Sequence, residues 1–177
     1  NKLTFNKLKA NELNLDLNLN HPTKYYTWTV QKKSDVENYK FYNDYTGNLT
    51  YTVTDNYPQI SNNKNNTVKQ AQLELNGVDR TSNYEGSFYN YVTSYEANIN
   101  TPADGINFYT FSLNPKDIQP SGSCNFSRLN RKTIKLSFTD EFLSRFSSTE
   151  YILINFISVN YNILKFDKGL CKLVFAY

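Results

Sequence analysis

Strict alternation of leucine with polar residues over residues 13–19 is the feature that most restricts the fold of this chain. Leu13, Leu15, Leu17 and Leu19 alternate with asparagine and aspartate without a break. Because successive side chains of a β-strand point to opposite faces, this period of two creates one apolar and one polar face. A helix would spread the same leucines around its axis. The segment therefore predicts a strand with one side in a core.

The same period recurs along the chain and predicts a protein built mainly of strands. Tyr26, Trp28 and Val30 continue the pattern directly after His21-Pro22. The 15 Tyr and 12 Phe favour strands over helices. About eight short strands with little helix predict an antiparallel β-sandwich, without distinguishing a jelly roll from another Greek-key arrangement. The further strands are predicted at residues 49–53, 71–75, 106–113, 133–138, 151–159 and 170–175, and one short helix at 140–146.

One segment combines a turn signal with a short alternating pattern. Pro120 suits the second position of a β-turn and Gly122 the fourth. Cys124 and Phe126 then alternate with polar residues, so we expect both side chains to enter the core. The segment consists of Gln119, Pro120, Ser121, Gly122, Ser123, Cys124, Asn125, Phe126, Ser127, Arg128 and Leu129.

This segment resembles the signature near the C-terminal end of the major capsid proteins of nucleocytoplasmic large DNA viruses. Other motifs resemble the same family, in the same order along the chain. They are the His-Pro opening of a Trp-containing strand at 21–31, the Asn-Gly-x-Asp-Arg hairpin at Asn76, Gly77, Asp79 and Arg80, the aromatic connection Tyr84–Tyr95, the segment Thr101–Pro115 and a last strand near 160–164. Several ordered motifs are far more specific than any one of them.

The resemblance implies an all-β fold, a jelly-roll sandwich of about eight antiparallel strands with short helical connections. It implies that residues 1–177 form a single jelly-roll domain, the C-terminal half of a longer double jelly-roll protein whose N-terminal domain is absent from this sequence. It also implies a structural virion protein that forms homotrimeric, pseudo-hexagonal capsomers of an icosahedral capsid, assembled in the host cytoplasm. Its implied partners are neighbouring capsomers, minor capsid proteins and an inner viral membrane.

Two alternatives follow from particular residues. The family continues Ile-Asp after its Ser-Arg pair, whereas this chain has Leu129-Asn130. This departure keeps open a minor capsid protein of the same fold. The many tyrosines and Trp28 suggest a carbohydrate-binding β-sandwich module, since exposed aromatic rings stack on sugars. Trp28 shares the phase of Tyr26, however, and this phase is typical of buried residues.

The sequence offers no catalytic constellation, so we predict no enzyme and no cofactor. His21 is the only histidine, and the two cysteines lack the spacing of zinc ligands. No glycine-rich phosphate loop or nucleophile elbow is present. Glu74 and Asp79 could be imagined as paired carboxylates. For Asp79 and Arg80, a turn-stabilising or buried ion pair is the preferred interpretation.

The charge distribution, the cysteines and the glycosylation sequons give three further expectations. The net charge of +3 is spread without a run of one sign, which argues against nucleic-acid binding. Cys124 and Cys171 are expected to be unpaired core thiols. Asn-x-Ser/Thr sequons begin at Asn48, Asn65 and Asn125. Asn65 is the best glycosylation candidate because residues 61–67 are entirely polar and predict a solvent-exposed loop.

Overall fold

The computed structural model describes residues 2–38, 45–46, 66–147 and 149–175. Within these residues the fold consists mainly of antiparallel β-strands, as the sequence predicts. The strands are β1 Lys2–Leu8, β2 Glu12–Asp16, β3 Pro22–Lys32, β4 Val68–Leu75, β5 Val78–Asp79, β6 Tyr84–Glu85, β7 Asn107–Thr110, β8 Cys124–Asn125, β9 Lys132–Phe138, β10 Tyr151–Asn160, β11 Leu164–Asp167 and β12 Leu170–Leu173.

Two five-stranded sheets make up the body of the molecule. The first sheet has the order β1-β10-β3-β7, with β8 also paired to β3. The second sheet has the order β2-β9-β4-β5, with β6 also paired to β4. Strands from the beginning of the chain therefore pair with strands near its end, β1 with β10 and β2 with β9. Consecutive strands alternate between the sheets at most connections, which is the wrapped pairing of a jelly roll.

Short helical segments lie in the connections. They are α1 Lys33–Glu37, a π-helical turn Phe88–Val92 that runs into α2 Thr93–Glu96, a 3₁₀ turn Phe126–Arg128 and α3 Asp140–Ser144. The helix predicted at 140–146 is thus confirmed, although Thr139 makes no side-chain capping hydrogen bond. No described helix is long and apolar enough to cross a membrane.

The core between the sheets confirms the predicted alternation. Leu15, Leu17 and Leu19 are almost fully buried, although β2 itself ends at Asp16. Leu17 and Leu19 keep their inward phase in an irregular segment where the Leu17 N–H donates to the Lys132 carbonyl at 2.7 Å. The inward residues of the other strands form the same cluster. These include Tyr26, Trp28, Val30, Ala71, Leu73, Ile134, Leu136, Phe138, Ile152, Ile154 and Phe156.

Several elements differ from the sequence predictions. Strand β1 is not among the strands predicted from the sequence; its inward residues Leu3 and Phe5 lie at the edge of the core. β7 is shorter than predicted because the chain leaves the sheet after Thr110. The strand predicted at 49–53 and most of the loop predicted at 61–67 lie outside the described residues. The last two residues of that loop, Asn66 and Thr67, are buried rather than exposed.

Polar contacts explain why Asn66 and Thr67 are buried. The Asn66 side chain donates to the Gly86 carbonyl at 3.1 Å and to the Asn107 side chain at 2.7 Å, and its oxygen accepts from the Val68 N–H at 3.0 Å. Buried amides are tolerated when their hydrogen-bonding groups are satisfied in this way. An asparagine-rich segment is therefore not always a solvated loop.

Candidate functional site

Two motifs that lie about a hundred residues apart in the sequence meet at one corner of the first sheet. β8 pairs with the start of β3, so that Asn125 lies opposite Pro22 and Cys124 opposite Thr23. The His21 N–H donates to Ser127 Oγ at 2.8 Å, and the Phe126 N–H donates to the His21 carbonyl at 3.1 Å. The signature-like segment is therefore attached directly to the His-Pro motif.

A tight local turn orients this segment. The Asn125 side chain accepts from the Ser127 N–H at 3.1 Å, which begins the 3₁₀ turn Phe126–Arg128. Phe126 is fully buried and Cys124 is partly buried against the core, so both inward positions are confirmed. The strand itself is only two residues long, because the chain enters the 3₁₀ turn at Phe126. Arg128 remains exposed.

The β-turn predicted at 119–122 is wrong. A bend lies at Ile118–Gln119 instead, and residues 120–123 form neither a turn nor a bend. The Ser121 carbonyl accepts from the Leu113 N–H at 3.3 Å, and Ser121 Oγ accepts from the Asn114 N–H at 2.9 Å. These hydrogen bonds join Ser121 to the preceding segment of the same chain, and they take the place of the i to i+3 hydrogen bond of a β-turn. Gly122 has φ +140°, and a Cβ there would lie 2.6 Å from the Phe111 carbonyl oxygen.

The Asn-Gly hairpin reaches the same corner from the second sheet. Asn76 and Gly77 both have positive φ, 52° and 80°, as the predicted two-residue hairpin turn requires. The Asn76 side-chain oxygen accepts from the Asn130 N–H at 2.9 Å and from the Arg131 N–H at 3.2 Å. The Asn76 N–H donates to the Arg131 carbonyl at 2.8 Å. The hairpin thus holds the chain immediately after the signature-like segment.

Lys132 completes the corner, and no sequence pattern predicts its role. Its ammonium donates to the Leu19 carbonyl at 3.1 Å and to the Phe126 carbonyl at 3.2 Å. A lysine can satisfy two such carbonyls because it has three donors. The corner therefore joins the end of the leucine segment, the His-Pro motif, the signature-like segment and the Asn-Gly hairpin through main-chain and side-chain hydrogen bonds.

The expected pairing of Asp79 with Arg80 is wrong. Asp79 is exposed and lies 4.0 Å from the Lys135 ammonium, which also contacts Glu74 at 2.9 Å. β4 and β5 place Glu74 opposite Asp79, and Lys135 lies between these two carboxylates. The hydrogen bond from Lys135 lowers the pKa of Glu74. A general acid needs a raised carboxyl pKa, so this pair is suited to an ion cluster rather than to catalysis.

Arg80 instead lies at the open edge between the two sheets. It lines a cleft of about 710 Å³ together with Tyr84, Tyr109 and the segment 110–113. Burial raises the pKa of Tyr109, and the nearby Arg80 guanidinium opposes this shift.

The described residues contain no group of three or more His, Cys, Asp or Glu side chains that could hold a metal ion.

A second cleft lies on the outer side of the first sheet. It has a volume of about 430 Å³ and a mostly apolar lining. Its floor includes Tyr25 and Phe108, whose ring centroids are 5.3 Å apart. We call it the Phe108 cleft; its lining residues are Tyr25, Thr27, Ile99, Asn100, Pro102, Ile106, Phe108, Pro115 and Lys116.

The remaining predicted sites have mixed outcomes. Asn65 lies outside the described residues. Both cysteines are free thiols, but Cys171 is exposed, so the expectation of two core thiols is wrong for Cys171. Trp28 is 1% exposed and therefore cannot serve as a sugar-stacking platform. It packs edge-on against Tyr89 at a centroid distance of 5.1 Å.

Comparison with known proteins identifies relatives of this fold. Residues 1–171 match the family model described as the large eukaryotic DNA virus major capsid protein. The major capsid protein of Paramecium bursaria Chlorella virus 1 is 29% identical over 187 residues, covering 92% of this chain and 43% of that protein. Capsid protein 1 of Acanthamoeba polyphaga mimivirus is 32% identical over 150 residues, covering 81% of this chain and 25% of that protein.

Solved structures of capsid proteins share the fold of this chain. VP54 of PBCV-1, from a crystal structure fitted into a cryo-EM reconstruction of the virophage Sputnik, superposes with a TM-score of 0.71 at 25% identity. The superposition covers 99% of this chain and 50% of VP54. The Faustovirus major capsid protein shares the fold, with a TM-score of 0.67 at 16% identity. The chain spans less than half the length of the two curated relatives described above. The chain belongs to the family of large eukaryotic DNA virus major capsid proteins.

Proposed function

We propose that this chain is the second of two jelly-roll domains in a major capsid protein and that it builds the shell of a virion. The observation that carries this proposal is the coverage of VP54: almost the whole chain superposes on half of that protein. A protein of twice this length would accommodate a second sandwich. The signature-like residues and the Asn-Gly hairpin then serve as scaffold, because they hold the two sheets together at one corner.

In this proposal three copies of the full-length protein form a capsomer with a pseudo-hexagonal outline, and capsomers tile an icosahedral capsid. The capsomer contacts neighbouring capsomers, minor capsid proteins and an inner viral membrane, and it assembles in the host cytoplasm. Nucleic acid is not a partner. A shell protein needs a stiff body with broad contact surfaces rather than a reactive pocket. The hydrogen-bonded corner and the continuous core supply such stiffness.

Glu74 supports a structural role over an enzymatic one. Its carboxyl is held ionised by Lys135 at 2.9 Å, with Arg131 at 3.8 Å on the other side. Two cations near one carboxylate keep it from releasing and accepting protons near neutral pH. The arrangement resembles a surface ion cluster that fixes β4 to β9.

The experiment is native mass spectrometry of the full-length protein, followed by cryo-EM of the same sample. We expect a stable trimer with three-fold symmetry and a six-sided outline. A monomer that binds sugars on a glycan array would contradict the proposal and favour a carbohydrate-binding module.

Quantitative mass spectrometry of purified virions separates a major from a minor capsid protein. A major capsid protein must be the most abundant shell protein, because it covers most of the surface. A small number of copies per particle would instead identify a minor capsid protein of the same fold.

A further inference from the structure

The hairpin formed by β11 and β12 has an apolar face that nothing in the described part of the chain covers. Among the described strands, β11 and β12 pair only with each other. Leu164 lies opposite Leu173, and Phe166 lies opposite Cys171. Directly opposed residues point to the same side of a hairpin, so these four side chains form one face. Lys165, Asp167, Leu170 and Lys172 form the other.

The exposure of this face is unusual for a folded domain. Leu164 and Leu173 are 51% and 52% exposed, and Phe166 is 73% exposed. Single exposed apolar residues are common, but a contiguous apolar face on a projecting element marks an interaction site. The hairpin is nevertheless well formed, with Lys168 and Gly169 both at positive φ in its turn. It is therefore a shaped projection with a contact side.

The size of the face indicates what kind of partner covers it. Stable stand-alone interfaces bury roughly 1,200–2,000 Å² in total. Four side chains on a short hairpin cover much less than this. The hairpin must therefore dock on a partner that other contacts already hold nearby. A neighbouring copy in the same capsomer meets this condition.

The chain also carries a surface that suits the hairpin. The Phe108 cleft is mostly apolar, and its volume of about 430 Å³ lies within the range of roughly 300–1,000 Å³ typical of binding clefts. Its rim includes Pro115 and Lys116. The hairpin of the same chain does not fill it, because the apolar face of that hairpin is exposed. A projection on one copy and a cleft on the next make a head-to-tail contact, and such contacts form a ring when the rotation between copies closes.

We propose that the apolar face of the β11–β12 hairpin of one copy docks into the Phe108 cleft of the next copy around the capsomer ring. This inference rests on the proposed trimer, which it deepens by assigning an interface. The contact is directional, so each copy donates one hairpin and accepts one. Three such contacts close a three-fold ring.

The hairpin offers a matched pair of substitutions for the test. Leu173→Ser removes a leucine from the apolar face, and Leu170→Ser removes a leucine that is even more exposed, 75% against 52%, from the opposite face of the same strand. We expect Leu173→Ser in the full-length protein to weaken trimers by about tenfold or more, as loss of an anchor residue does. Leu170→Ser should leave the trimer unchanged. Mass photometry over a dilution series measures both, and thermal melting of each variant checks that the fold is intact.

Cysteine cross-linking provides a second, independent measurement. Cys171 lies on the apolar face, and Lys116→Cys places a thiol on the rim of the Phe108 cleft. Mild oxidation should give dimers and closed trimers on a non-reducing gel. Combining Lys116→Cys with Cys171→Ser should abolish them.

The outcomes separate the two proposals. A wild-type protein that is monomeric overturns the proposed function itself. Wild-type trimers that are weakened equally, or not at all, by Leu173→Ser and Leu170→Ser overturn only the hairpin contact. Intact trimers without cross-linking between Cys171 and Lys116→Cys overturn it as well.

Discussion

The two sheets of this sandwich differ on their inner faces. The first sheet contributes large aromatic side chains to the core, with Tyr26, Trp28 and Phe156 in mutual contact. The central strands of the second sheet contribute mainly aliphatic residues, such as Leu73 and Ile134. Aromatic rings bury more area and pack with specific geometry, so the first sheet is the more sensitive half of the core.

The outer faces differ even more. The outward positions of β10 and β3, the central strands of the first sheet, carry no charge; they are Tyr151, Leu153, Asn155, Ile157, Val159, Tyr25, Thr27, Thr29 and Gln31. The outward positions of the second sheet include Glu12, Asp16, Glu74, Asp79 and Lys135. Covering a charged face requires desolvating its ions, whereas covering an uncharged face does not. The first sheet therefore presents the face that is easier to bury, and the second presents the face that is better left in water.

The largest effect should follow from breaking the aromatic side of the core. Trp28→Ala should lower the free energy of unfolding by about 3–5 kcal/mol, because the side chain is fully buried and leaves a cavity. Trp28→Phe should cost clearly less, since a ring remains in place. Urea unfolding of the chain followed by circular dichroism measures both. Leu73→Ala is the comparison in the second sheet. If Trp28→Ala lowers the free energy of unfolding by less than Leu73→Ala does, the first sheet is not the more sensitive half of the core.

The corner that joins the two sheets comes next. Asn76→Ala should lower the free energy of unfolding by about 1–3 kcal/mol, because the N–H groups of Asn130 and Arg131 lose their acceptor. Asn76→Gly is the matched control, since glycine keeps the positive φ of 52° but also lacks the acceptor. If both variants lose the same free energy of unfolding, the loss is due to the missing hydrogen bonds. If Asn76→Gly is nearly as stable as the wild type, the hydrogen bonds do not cause the loss. Urea unfolding again serves as the measurement.

The charged face of the second sheet should respond more weakly. Lys135→Gln removes the cation between Glu74 and Asp79. The pKa of Glu74 should then rise, because the hydrogen bond from Lys135 is the main cause that lowers it. Stability at neutral pH should change less than in Asn76→Ala, since the Lys135 and Asp79 side chains are exposed and water screens their ion pairs. NMR titration of the Glu74 carboxyl measures the shift, and an unchanged pKa would refute the assigned cause.

An acid-dependent effect should appear at the end of the first sheet. The Ser147 N–H at 2.8 Å and Lys32 at 3.0 Å lower the pKa of Glu150 to about 2. A carboxyl whose pKa is lower in the folded than in the unfolded state stabilises the fold when it is ionised. For Glu150 this stabilisation is present above the unfolded pKa near 4.5, and it is lost as the pH falls from 4.5 through about 2. The melting temperature of Glu150→Gln should therefore fall less steeply across this range than that of the wild type. Parallel slopes would show that Glu150 makes no such contribution.

The sequence predicts this fold well where packing depends on the periodicity of side chains. Alternation located the inward residues of β2 and β3 and predicted strands at the positions of β4, β9 and β10, because a sheet with one buried face demands that pattern. It missed β1, where lysines and asparagines surround Leu3 and Phe5 at the edge of the core. Edge strands bury little, so their sequence carries a weak signal.

The corner was only partly predictable. The motif resemblance identified Asn76 and Ser127, but nothing in a linear pattern indicates that Ser127 accepts from His21 or that Lys132 binds two carbonyls. The turn expected at Pro120 failed for a related reason. Local preferences favoured an i to i+3 hydrogen bond, whereas the distant segment 112–114 supplied better partners for Ser121.

The nested pairing of the strands has a kinetic consequence. Lys2 pairs with Ile157, and Glu12 pairs with Ser137, so each sheet contains strands from opposite ends of the chain. Topologies dominated by such distant contacts have high contact order and fold in milliseconds to seconds rather than microseconds. A nascent chain cannot close the first sheet until β10 has left the ribosome. Until then β3 and its aromatic residues lack their main partner, and this interval is when the chain is most exposed to aggregation.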